Sequence, residues 1–192
     1  MRSLPVLNAP RTVRPNIALI SVTTFCNARC PFCCVLDALN KPELNPSDAQ
    51  LFEEMERRRA EGCSVLSFTG GEPTVHPRFV ELCRRGRELG YESITVNTNG
   101  IKFKDRRFTE AVLDAGLSNI DFSVHGHDEA LQNAMMGKAG AYEALVAGLA
   151  NLRELIAGRE VVLGSTTVVT TENAPHLVAT VDLLCDAGIQ SL

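Results

Sequence analysis

Three cysteines fall within eight residues, Cys26-Asn27-Ala28-Arg29-Cys30-Pro31-Phe32-Cys33, a CxxxCxxC spacing that gathers soft donors into one short loop. Thiolates so placed hold either zinc or an iron–sulfur cluster. Three of them can ligate three irons of a cubane and leave the fourth iron open. A structural zinc site instead closes with four ligands, commonly from paired CxxC units, and the sequence offers no second CxxC pair. Cys34 directly follows Cys33, and adjacent side chains rarely converge on one metal without backbone strain, so it is read as packing. Cys63, Cys83 and Cys185 lie beside or within apolar helical stripes, where cysteine behaves as a small hydrophobe. Seven cysteines, an odd number with three crowded together, fit metal ligation in a reducing compartment better than a disulfide framework.

Further polar groups recur at regular places. Thr69-Gly70-Gly71-Glu72-Pro73 combines glycines that allow close main-chain approach with a carboxylate that can offset a positive charge, although Gly-Gly-Glu-Pro alone is also a simple turn. Asn97-Thr98-Asn99-Gly100 offers polar side chains, with an ordinary Asn-Gly turn as the alternative at Asn99. In Ser123-Val124-His125-Gly126, His125 is a hydrogen-bond donor to a ligand, a proton handler, or a satisfied rim histidine. His127 reads as exposed, His76 as a capping or loop residue, and Met135 and Met136 as packing or a lid segment before a glycine-rich turn.

The elements that must position these groups alternate along the chain. Strand-like runs begin near Ile17, Ser64, Glu92, Ser118 and Glu160, and a sixth starts at Gly188. Between them lie amphipathic helical patterns: NPSDAQLFEEMERRRAEG, with Ser47 as N-cap, Gln50 three residues on and Gly62 as the stop; PRFVELCRRGRELG; DRRFTEAVLDAG; AYEALVAGLANLREL; and NAPHLVATVDLLCDAG. This βα rhythm predicts an α/β fold, a parallel sheet with five helices on one face. Within it, Ile94, Val96, Ile120, Phe122 and Val124 face the helices. Ser93, Thr95, Asn97, Asp121, Ser123 and His125 face the interior, and a polar interior needs something to bind or hydrate. The candidate groups all sit at C-terminal strand ends, where the loops of such sheets collect function.

The 192 residues suit one domain, read as an N-terminal extension over 1–16 followed by a core over 17–192. Nineteen basic against 23 acidic residues give a net charge of -4 with no basic stripe, which excludes sequence-independent nucleic-acid binding. Arg57, Arg58 and Arg59 follow Glu53 and Glu54 on a helix and read as a solvated face. No apolar run reaches the roughly 20 residues of a membrane span, and the N-terminus lacks a signal-peptide apolar region, so a cytoplasmic address is expected.

CxxxCxxC after the first strand, with the aromatic Phe32 before the last cysteine, resembles the signature of the radical S-adenosylmethionine (radical SAM) superfamily. The ends of the second, third and fourth strands are similar to that family's GGE, TNG-type and S-x-H/D-G patterns. The resemblance implies a partial (β/α)6 TIM-like barrel. It also implies a [4Fe-4S] cluster on Cys26, Cys30 and Cys33, with S-adenosylmethionine on its open iron. Phe32, Gly70, Gly71, Glu72, Asn97, Thr98, Ser123 and His125 then line the cofactor: Phe32 by the adenine, unless it is simple loop packing, and Glu72 with the preceding backbone at the methionyl ammonium. The implied reaction is reductive cleavage to methionine and a 5'-deoxyadenosyl radical that abstracts hydrogen from a small-molecule or peptide substrate. Electrons would come from a donor such as flavodoxin or ferredoxin. Which of the chain's own residues are catalytic is not implied.

The resemblance covers the chain from about Ile17 to its end, which falls inside the sixth strand and before the last helix of a six-unit core. An inactive cofactor-binding fragment of the same fold is therefore an alternative, as is a zinc-stabilised structural domain. Peptide-modifying maturases and molybdenum-cofactor-type cyclases fit the first five units equally well. Activating enzymes for glycyl-radical partners fit less well.

Overall fold

The computed structural model describes residues 16–191, so the extension expected over 1–16 lies, apart from Asn16, outside the described residues. Five strands form one sheet: β1 (Ile17–Thr23), β2 (Val65–Gly70), β3 (Ser93–Thr98), β4 (Asn119–Ser123) and β5 (Val162–Thr166). They pair in parallel in the order β1-β2-β3-β4-β5. Parallel neighbours require crossovers, and α1 (Asp48–Ala60), α2 (Phe79–Glu88), α3 (Arg106–Asp114), α4 (Glu129–Met136) and α5 (Ala141–Leu155) supply them, with α6 (Leu177–Asp186) after β5.

Period-two alternation splits the sheet into two faces. Ala18, Ile20, Val22, Leu66, Phe68, Ile94, Val96, Ile120 and Phe122 are buried beneath the helices, where Phe68, Phe79, Phe108, Phe103 and Phe122 form a chain of ring contacts. The opposite face carries Ser67, Thr95, Asn97, Asp121 and Ser123, with Ile17 and Leu19 exposed on β1. The expected division between an apolar, helix-covered face and a more polar inner face therefore holds.

Local signals act as read. Ser47 and Gln50 close a capping box on α1, and Arg57 and Arg58 pair with Glu54 and Glu61 on its outer face. Where a sixth strand was expected from Gly188 there is a single parallel bridge, Ser191 to Gly164, with Gln190 N–H donating to Leu163 O and Ser165 N–H to Ser191 O, both at 2.8 Å.

Three features differ from the sequence reading. Met135 and Met136 end a helix, α4, making six α-helices among the described residues and not five. Strand β5 stops at Thr166, because Thr167 Oγ1 donates to Val124 O and Val168 N–H to His125 Nδ1, which pulls the chain out of the ladder. The stripe of α6 is mostly outside: Thr180 and Leu184 are buried, whereas Val178 and Val181 are 76% and 41% exposed and Cys185 is exposed too. This helix comes last in the order, with no further helix among the described residues to cover its far side. None of the helices among the described residues is long and apolar enough to cross a membrane.

Candidate cofactor site

Beyond β1 the chain leaves the sheet as an extended loop. Thr24 N–H donates to Asn45 Oδ1 at 2.6 Å and Cys26 N–H to Asn40 Oδ1 at 3.1 Å, which fixes the start of the cysteine segment. A turn closes it, Cys33 N–H to Cys30 O at 3.1 Å. The ends of β2, β3 and β4 face this loop across a cavity of about 470 Å³. Cys26, Cys30, Phe32, Cys33, Gly70, Gly71, Glu72, Asn97, Thr98, Ser123 and His125, the complete predicted set, line it, and Cys34 and Met136 join them.

The two glycines serve main-chain packing. A Cβ on Gly70 would strike Thr23 O, and one on Gly71 would strike Phe25 O and Thr24 O. With side chains absent, Gly71 N–H reaches Thr23 O at 2.7 Å and Glu72 N–H reaches Phe25 O at 2.8 Å, so the end of β2 is sewn to the root of the cysteine loop.

Glu72 is buried and both oxygens of its carboxylate accept hydrogen bonds. Oε1 accepts from Thr74 N–H (3.1 Å), Thr74 Oγ1 (2.5 Å) and Thr98 Oγ1 (2.8 Å), and Oε2 accepts from Asn99 N–H (2.7 Å). Burial pushes its carboxyl up from the ordinary carboxylate range, and these donors oppose that rise. Asn99 passes the tie onward: its Nδ2 donates to Asn27 Oδ1 at 2.7 Å, inside the cysteine motif, while its Oδ1 accepts from Ile101 N–H in a turn. The turn expected at Asn99 is thus present, and the same side chain also ties it to the cysteine motif.

At β4, the His125 ring packs edge-on against Phe32, centroids 4.9 Å apart. Its Nδ1 accepts from Val168 N–H at 3.2 Å, which leaves the proton of the neutral ring on Nε2, and burial lowers its pKa from 6.5 to about 4. Two buried amides missed in the sequence shape this end. Gln132 Oε1 accepts from His125 and Gly126 N–H, and Asn173 Nδ2 donates to His125 O and Val168 O. Neither stands in a recognisable motif: Gln132 lies within α4 beside the polar Asn133, and Asn173 lies in the polar turn that precedes Ala174.

Cys26, Cys30 and Cys33 are half-buried and carry no disulfide. Burial, with the neighbouring thiols adding, pushes Cys30 up to about 11; burial also raises Cys26, where Glu72 and Cys33 add. Crowded thiols of this kind ionise when a metal centre compensates their charge. Among the described residues no three His, Cys, Asp or Glu side chains converge as ligands of one ion. A donor set of three soft thiols on a cavity wall fits a cubane, which presents separate irons and keeps one open.

A family model described as the Radical SAM superfamily matches residues 20–184. Among curated proteins, the chain is 34% identical over 115 residues to 7,8-dihydro-6-hydroxymethylpterin dimethyltransferase of Methanocaldococcus jannaschii, which covers 59% of this chain and 23% of that protein. The fold is similar to that of Streptococcus suis SuiB bound to S-adenosylmethionine (TM-score 0.69, 20% identity, 92% of this chain and 38% of that one). It is likewise similar to anSMEcpe with bound AdoMet and a peptide (TM-score 0.70, 21% identity, 93% and 50%). The chain thus spans about a quarter of that curated relative and up to half of these solved structures.

Proposed function

The chain belongs to the radical SAM superfamily, whose members use a [4Fe-4S] cluster and S-adenosylmethionine, and on that premise we propose that it is a radical SAM enzyme core acting through the cavity at its strand ends. One observation carries the reading: three thiols and the ends of three further strands, distant in sequence, meet around one 470 Å³ space. Cys26, Cys30 and Cys33 are the ligand set. When bound, the cluster and S-adenosylmethionine supply reductive C–S cleavage and hydrogen abstraction from substrate.

The chain's own residues hold and orient. Asn97 and Ser123, with the main chain of Gly70 and Gly71, offer hydrogen-bonding groups to the polar methionyl end. Phe32 and His125 offer an aromatic wall for the adenine, with the neutral His125 presenting an Nε2–H donor. Glu72 and Thr98, already bonded to each other, line the cavity for the methionyl end, with Glu72 toward its ammonium, and also fix Asn99 and through it the loop at Asn27. A donor such as flavodoxin or ferredoxin supplies electrons, and a cytoplasmic, reducing address suits the unbridged thiols. The relatives' names point to a pterin in one case and a peptide in another, so the substrate is left as a small molecule or peptide.

Anaerobic reconstitution with iron and sulfide, reduction, and addition of S-adenosylmethionine tests the reading by chromatography of 5'-deoxyadenosine. Formation of 5'-deoxyadenosine is expected. A chain that assembles a cluster yet yields none is a cofactor-binding module, and one that takes zinc but no iron overturns the reading altogether.

A further inference from the structure

The CxxxCxxC loop does not rest on the sheet alone. Its middle lies on the end of α4: Arg29 N–H donates to Met136 O at 3.0 Å, and Cys30 Sγ stands 3.8 Å from Met136 O and 3.9 Å from Met136 Sδ. Beneath it is a small apolar core separate from the main one, made of Ala28, Ile101, Met136, Ala141 and Ala144, with Cys26 and Cys30 packed against it. Immediately after Met136 the chain turns through Gly137 in the left-handed region, φ 55°, as the C-cap of α4. A Cβ on Gly137 would run into the Arg29 carbonyl oxygen and sit 2.7 Å from Arg29 C. Both atoms are backbone of the cysteine loop, so the loop can occupy its place only while residue 137 has no side chain.

We propose that the last turn of α4, Met136–Gly137, is the seat of the cysteine loop, and that Gly137 is a positioning residue for cluster assembly. The proposal rests on the reading of Cys26, Cys30 and Cys33 as ligands. Thiolates that must meet three irons at fixed bond lengths tolerate little displacement of their backbone, and a Cβ at residue 137 displaces it at Arg29, next to Cys30.

Gly137→Ala is compared with Gly140→Ala after anaerobic reconstitution, reading bound iron and sulfide and the electron paramagnetic resonance of the reduced samples. Gly140 is also left-handed, φ 76°, but the nearest atom to its Cβ is Glu143 Oε2 at 4.0 Å, so that variant carries the backbone strain without the contact. Gly137→Asn does the reverse, since asparagine tolerates the left-handed region yet keeps the Cβ. Loading in Gly137→Ala and Gly137→Asn is expected to fall to roughly a tenth of wild type, with Gly140→Ala loading normally and far-UV circular dichroism retained in all three. Full loading of Gly137→Ala, or an equal loss in Gly140→Ala, overturns the seat. Cys30→Ala run alongside separates the two levels. If it loads fully the ligand reading fails; if it fails to load while Gly137→Ala loads, only the seat does. Should the Gly137 variants not fold, hydrogen exchange in the wild-type apo chain still decides, because the seat requires a protected Arg29 amide and a freely exchanging one refutes it.

Discussion

At the scale of single residues, His125 illustrates how a site group is prepared by the fold and leaves a trace in stability. Its ring is buried, its Nδ1 is occupied by the Val168 N–H, and protonation would require both desolvating a cation and breaking that hydrogen bond. An unfolded chain takes up the proton near 6.5, while the folded one does so only near 4. Between those values the unfolded state binds more protons. Stability is therefore full above pH 6.5 and falls as the pH drops through the window, by roughly 3 kcal/mol from this group once below pH 4. Glutamine can accept from Val168 without titrating. His125→Gln is expected to lose this component, so that its stability relative to wild type, measured by urea unfolding, improves by about that amount between pH 7 and pH 4. A pH-independent difference between the two chains would show that His125 is not held neutral by its surroundings.

At the scale of elements, the strand ends are joined through buried polar side chains, and Glu72 is the junction between β2, β3 and the cysteine loop. Glu72→Gln keeps the shape but replaces one acceptor oxygen with an amide donor, and either orientation sets that donor against an N–H or O–H already pointing inward. A loss of about 1–3 kcal/mol is expected in thermal or denaturant unfolding of the apo chain, and an unchanged midpoint would remove Glu72 from its structural role. The sequence made such elements legible to different degrees. Strands β1 to β4 and the helices α1, α2, α3 and α5 were readable because each carries a full apolar period and most end in a strong signal such as Ser47 or Gly62. Helix α4 was not, although Asp128 caps it and Gly137 ends it, because eight residues give barely two turns of pattern and its buried face includes Gln132, which is committed to the β4 end. The convergence of eleven residues on one cavity was legible from motif type and strand-end position. Their hydrogen-bond partners were not: Gln132, Asn173 and the Asn27–Asn99 pair answer to tertiary contacts between residues far apart in the chain, which no local period encodes.

At the scale of the whole molecule, the main core lies between the sheet and its helices while the cavity lies at the strand ends, and this separates what stabilises the chain from what would do its chemistry. The large core lies between sheet and helices, running through Phe68, Phe79, Phe103 and Phe122, whereas the cysteine loop is seated on the small satellite core around Met136. Phe122 is fully buried and meets Phe103 at a ring separation of 5.6 Å, so Phe122→Ala removes contacts that no neighbouring group can replace and is expected to cost about 3–5 kcal/mol. Cys30 is half-buried at the cavity edge and its thiol makes only long contacts, 3.8 Å to Met136 O and 3.9 Å to Met136 Sδ, so Cys30→Ala is expected to change apo stability by less than about 1 kcal/mol. The two variants should then part company on reconstitution. Cys30→Ala melts like wild type but binds no stable cluster, whereas Phe122→Ala melts early and, at temperatures where it stays folded, still takes up iron and sulfide. If Cys30→Ala instead lowered the apo melting point as much as Phe122→Ala does, the loop would be a structural pillar of the domain and not a site carried on a fold that stands without it.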